Sequence, residues 1–253
     1  MDWQRYEAAI FRARKEILKP VDDIDEVYFK DLLGLEKQKE LIYQNTLNFI
    51  DDKPAHHTLL WGAKGCGKSS LVRAVFCELK HRDLRLVEIS KDDLHFLVDI
   101  IDDLRKETYK FIIFCDDLSF EENDNSYKFL KPLLDGSIEK IPNNILFYAS
   151  SNRRHLVKEN ISDNEQVSMV NGELHLGDLI EEKLSLSDRF GLWISFYQGS
   201  FDEYLKLVDF YFEDFKGDRN ELHSKAKEFS HLRASRSART AKQFYIAFKD
   251  ILK

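Results

Sequence analysis

Apolar and polar residues alternate along this chain in two distinct rhythms. Thr58 to Trp61, Leu84 to Ile89, Phe111 to Cys115, Ile145 to Ser150 and Leu192 to Tyr197 are short apolar runs, the pattern of buried strands. Between them, apolar positions recur at helical spacing: Leu35, Ile42 and Phe49 for a helix over 36–50, then Leu71, Val72, Val75, Phe76 and Leu79. Leu94, Leu97, Val98, Ile101 and Leu104 predict a helix over 92–106, and a further helix fits 124–135. Strands and helices in this alternation predict an α/β fold with a parallel sheet flanked by helices.

The two ends of the chain read differently. Trp3, Ala9, Ile10, Ile17 and Leu18 among alternating charges predict a helix over 3–18, broken by Pro20 and the acidic Asp22 to Glu26. Residues 158–178 are polar and weakly patterned, which predicts an inserted loop. From Ser200 the pattern is helical throughout: Phe201, Tyr204, Leu205, Val208, Tyr211, Phe212 and Phe215 share one stripe, and Phe244, Ala247, Phe248 and Ile251 make another. The expected organisation is an N-terminal helical arm over 1–29, an α/β domain over 30–197 and a helical domain over 198–253.

The chemistry concentrates where one strand meets one helix. Gly62-Ala63-Lys64-Gly65-Cys66-Gly67-Lys68-Ser69 fits the phosphate-binding P-loop pattern, and Ser70 follows it. Glycines let such a loop turn its N–H groups inward as an anion nest, and the helix start adds more unpaired N–H groups. Lys68 is expected to reach the β- and γ-phosphates of ATP, and Ser69 to hold Mg²⁺. Asp116 closes an apolar strand, the position from which P-loop enzymes coordinate Mg²⁺. Asp117 follows it as a candidate for orienting the attacking water, one methylene shorter than a glutamate, and Glu121 and Glu122 stand close by as longer arms. Asn152 ends the next strand, so a parallel sheet brings it to the same edge as Gly62 and Asp116.

Composition narrows the classes. The 253 residues are 43% apolar and 33% charged with a net charge of −7, so the field of the whole chain does not favour nucleic acid. A local basic stretch, Arg233, Arg236, Arg239 and Lys242, leaves a DNA-binding reading open. No apolar run is long enough to span a bilayer. The start lacks the basic residues and apolar core of a signal peptide, and the three cysteines lack metal-ligand spacing, so a cytoplasmic protein with reduced thiols is expected.

Taken in order, the P-loop, the acid-ended strand, Asn152, Ser187-Asp188-Arg189-Phe190-Gly191 and a helical end with an arginine pair resemble the AAA+ ATPases, P-loop NTPases with a small C-terminal all-helical lid domain. Stretches such as Phe114 to Glu121 and Ser185 to Trp193 are similar to those of a bacterial AAA+ group known as a domain of unknown function. The segment Arg189 to Tyr197 is similar to that of the bacterial Holliday-junction branch-migration motor. The resemblance implies Mg²⁺-dependent ATP hydrolysis coupled to remodelling of a macromolecular client. It implies a homo-oligomer, a hexameric ring among the options, with each active site shared between subunits. It makes Asn152 the γ-phosphate sensor, Arg189 the arginine finger, Arg239 (with Arg236 as runner-up) the lid arginine, and Leu33 and Gly34 the adenine-side segment. The aspartate at 117 departs from the AAA+ pattern and motivates an alternative, a slowly hydrolysing, nucleotide-gated interaction module.

Overall fold

A computed structural model describes residues 1–120, 126–134, 141–154, 156, 168–170, 173–175 and 186–251. Seven strands form one sheet: β1 (Ala8–Arg12), β2 (Ile17–Pro20), β3 (Thr58–Gly62), β4 (Leu84–Ile89), β5 (Lys110–Cys115), β6 (Ile145–Ser151) and β9 (Leu192–Phe196). Their order is β2-β1-β4-β5-β6-β3-β9. Every neighbouring pair is parallel except β1 with β2. Gly62, Cys115 and Ser151 therefore end their strands on one common edge, where an open α/β sheet binds ligands.

Both faces of the sheet are covered, which is why its central strands read as unbroken apolar runs. Phe111, Ile113 and Cys115 point into a core completed by α3 (Leu97–Leu104) and α4 (Lys131–Leu134). Ile112 and Phe114 point the other way, against α1 (Glu36–Ile50) and α2 (Lys68–Leu79). The helix expected over 92–106 begins as a 3-10 segment, Lys91–Phe96. The one expected over 124–135 is 3-10 over Ser126–Leu130 before α4, its remaining positions lying outside the described residues.

The N-terminal expectation is corrected. Residues 3–18 form no α-helix: β1 and β2 are strands of the main sheet, joined by a 3-10 turn over Ala13–Lys15 and a left-handed Glu16 at φ 51°. Pairing with a strand distant in sequence outweighs the local helical rhythm, since β1 lies between β2 and β4. The Nε of Arg85 donates to the Trp3 carbonyl at 2.9 Å, and the guanidinium stacks over Tyr109 at 4.0 Å. The chain then runs along α2, where Lys80 pairs with Glu7 and Glu26 and the Phe29 N–H donates to Glu78 at 3.0 Å. This path delivers Leu35 to the phosphate loop, with Leu33 and Gly34 exposed just before it.

Within the segment expected as an inserted loop, β7 (Ser168–Val170) and β8 (Glu173–His175) pair as a short antiparallel ribbon. The C-terminal region is helical as expected: α5 (Phe201–Tyr211), α6 (Arg219–Leu232) and α7 (Ala238–Phe248) close around Tyr204, Val208, Phe212, Leu222, Ala226, Ala241 and Phe244. Ser200 caps α5 in a reciprocal box with Glu203, and Ser237 caps α7 by accepting the Thr240 N–H. Such caps contribute about 1 kcal/mol each. No described helix is long and apolar enough to cross a membrane.

Candidate nucleotide site

The loop between β3 and α2 is shaped by two close approaches. Gly62 sits at φ 131°, and a Cβ there would lie 1.9 Å from the Phe196 carbonyl oxygen. The Ala63 N–H donates to that same oxygen at 3.0 Å, which ties the loop to β9. Gly65, at φ 76°, leaves room for the start of α7: a Cβ would meet Ser237 Oγ at 2.7 Å and Arg239 Cβ at 3.0 Å. On the other side, Leu35 packs over Gly67. Lys64 is exposed, whereas Cys66 and Ser70 are half-buried. Burial pushes the Cys66 thiol up from its ordinary pKa, so it is a poor nucleophile.

Lys68 is buried and fully engaged. Its ammonium donates to the Gly62 carbonyl at 2.9 Å, to the Ala63 carbonyl at 2.9 Å and to Asn152 Oδ1 at 3.0 Å. Burial lowers its pKa, and the nearby Cys66, Asp117 and Asp116 oppose that shift. The other end of the Asn152 amide donates to Asp117 Oδ1 at 2.8 Å. One side chain thus joins the lysine to the second acid.

Asp116 and Ser69 meet directly, the hydroxyl donating to Oδ1 at 2.7 Å. Ser150 Oγ donates to the same oxygen, and the Asp117 N–H reaches it at 3.1 Å. The Asp117 N–H also donates to Ser150 Oγ at 3.0 Å. Asp117 is left-handed at φ 53°. For a residue with a Cβ this conformation costs roughly 1–2 kcal/mol, and aspartate tolerates it better than most. An exposed carboxylate beside a hydroxyl at a helix start is the donor set that a P-loop offers Mg²⁺, so these residues fit that ion. The glycine loop and the α2 N-terminus that Gly67 opens likewise fit a polyphosphate.

The remaining expected residues fall in three places. The Arg239 N–H donates to the Gly65 carbonyl at 3.2 Å, which brings α7 onto the loop. Arg236 stacks instead on Phe201 at 4.9 Å, and Arg233 on Phe229 at 5.4 Å. Leu33 and Gly34 are exposed just before Leu35, with Gly34 at φ 73°. Arg189 lies elsewhere. Its turn leads into β9, whose register pairs Leu192 with Thr58 and Phe196 with Gly62. At ~3.3 Å per residue, Arg189 sits beyond the far end of a strand about 13 Å long from Gly62. The buried Phe190 anchors that turn against Phe147, with Asp188 exposed and Arg189 half-buried. Glu121 and Glu122 lie outside the described residues.

Two residues of this arrangement were not read from the sequence. Ser150 is one, and its only signal was a hydroxyl pair before Asn152 at the end of an apolar strand. The other is Ser237, whose signal was the helix-capping spacing Ser237-Ala238-Arg239-Thr240.

Residues 4–250 match the model of a family described as "Protein of unknown function (DUF815)". The chain belongs to this family. No curated protein matches it. Among solved structures, the AAA domain of FIGL-1 in complex with ADP is similar at a TM-score of 0.55 and 17% identity, over 82% of this chain and 68% of that one. A variant of Thermotoga maritima RuvB aligns at a TM-score of 0.49 and 12% identity, over 87% and 72%. The likeness to the AAA domain concerns the fold: this chain has the fold of an AAA domain, a mostly parallel sheet flanked by helices with a helical C-terminal region.

Proposed function

We propose that this protein binds Mg²⁺·ATP between its sheet edge and its C-terminal helices, hydrolyses it, and uses the cycle to remodel a macromolecular client. The observation that carries the reading is the convergence of Lys68, Ser69, Asp116, Asp117 and Asn152 on one strand edge. When bound, Mg²⁺ would neutralise phosphate charge from its place beside Ser69 and Asp116. Lys68 exchanges its carbonyl partners for phosphate oxygens, Asn152 senses the γ-phosphate, and Asp117 orients the water that displaces ADP from the γ-phosphorus. Arg239 faces the loop from α7 and closes the site from the lid side.

Arg189 supports an assembly. It lies beyond the far end of β9 from its own loop, which supports the reading that it serves the site of a neighbouring copy. A guanidinium supplied in that way is worth about 10³–10⁵ in rate where it has been measured. The client is a protein rather than DNA in this reading, because the net charge of −7 does not favour a polyanion.

Mg²⁺-dependent phosphate release tests the proposal. It is expected in the wild-type protein and absent in Lys68→Ala; full release by that variant refutes the assignment. A second reading, a slow nucleotide-gated switch, draws on the short Asp117 arm and on the direct seating of α7 against Gly65. Asp117→Glu separates the two: a large gain in turnover supports a slow switch, and a loss supports the aspartate as the working residue.

A further inference from the structure

We infer that Ser150 is the positioning residue that makes an aspartate serviceable at position 117. The inference rests on the reading of Asp117 as the group that orients the water. A carboxylate one methylene shorter than glutamate depends on where its backbone sets it, and at Asp117 that backbone is a left-handed turn. Ser150, fully buried at the end of β6, grips the turn from the neighbouring strand. Its hydroxyl has a single proton, given to Asp116 Oδ1, and its lone pair accepts the Asp117 N–H at 3.0 Å. Its carbonyl accepts the Leu118 N–H at 2.7 Å, which clamps the far side of the same turn. With the backbone held from both sides, the Asp117 carboxylate meets the Asn152 amide at 2.8 Å.

This arrangement distinguishes Ser150 from a residue that merely fills space. Alanine in its place removes the one acceptor outside the Asp116–Asp117 pair that fixes the Asp117 N–H. The Leu118 bond and the strand pairing of β6 survive, since both use backbone atoms. The acid at 117 is then free to leave its turn, while the Lys68 and Ser69 contacts that would hold nucleotide remain.

The test combines Ser150→Ala, Asp117→Asn and the double variant. Ser150→Ala is expected to lower turnover by about 10–100-fold, the scale of a small misplacement. Its affinity for a fluorescent ADP should stay within about threefold of wild type. Amide hydrogen exchange in the peptide spanning residues 115–119 should accelerate in the nucleotide-free variant. In the Asp117→Asn background, adding Ser150→Ala should cost little more, because the group it places is already disabled. Wild-type turnover in Ser150→Ala beside a slow Asp117→Asn overturns the role of Ser150 and leaves that of Asp117 standing. Fully multiplicative losses, or an equal loss of nucleotide affinity, also overturn it. Wild-type turnover in Asp117→Asn overturns both.

Discussion

The Arg239 backbone N–H donates to the Gly65 carbonyl at 3.2 Å, so the last helix of the chain rests on the phosphate loop itself. Ser237, which caps that helix, lies where a Gly65 side chain would be, and Gly65 holds a positive φ of 76°. Gly65→Ala should therefore unseat α7 as well as strain the loop. We expect a stability loss of more than about 1 kcal/mol from the backbone alone. Nucleotide affinity should fall in the same variant, measured by titration with a fluorescent ADP. An unchanged melting temperature and affinity would show that the helix does not depend on this seat.

Asn152 links Lys68 to Asp117 through the two ends of one amide. Asn152→Ala removes one of three acceptors from a buried ammonium and releases the acid. Turnover should fall about 100-fold or more, as when a water-orienting group is lost. Binding should change little, because Lys68 keeps both loop carbonyls. Single-turnover kinetics beside a binding isotherm separates the two; equal losses in both would make Asn152 a binding residue.

Much of this was legible in the chain because it is local. The run Phe111 to Cys115 is apolar on both faces, and it could only be a strand covered twice. The glycines and Lys68 carry their own signature, since backbone freedom and a helix start are sequence-local needs. The N-terminal strands were not legible. Ala8 and Ala9 are good helix formers, Ile17 and Leu18 fit either rhythm, and the pairing that decides the matter joins residues 8–10 to 86–88. Ser150 was hidden for a similar reason: its value comes from acids on the adjacent strand, and nothing in its own neighbourhood shows it. Arg189 was found through a resemblance, and only the register of β3 with β9 shows how far it stands from its own loop.

His57 makes stability depend on pH. Burial pushes its pKa down to about 4, and its Nδ1 accepts the Phe147 N–H at 3.0 Å. The unfolded chain takes up this proton near pH 6.5, well before the folded chain does. The contribution of His57 is therefore fully present above about pH 6.5 and is lost as pH falls towards about 4, a change on the order of 3 kcal/mol. Denaturant titrations across that window should show the slope. His57→Gln, which keeps an acceptor and a donor but does not titrate, should flatten it; an equal slope in the variant would place the proton uptake elsewhere.

The central claim is that the site is completed by Arg189 of a neighbouring copy. ATP turnover per subunit, measured against protein concentration and with increasing fractions of Arg189→Ala mixed in, tests it most directly. The account predicts turnover that rises with concentration and falls more steeply than the fraction of variant added. Turnover that is flat with concentration, and that Arg189→Ala dilutes only in proportion or leaves untouched, would contradict it.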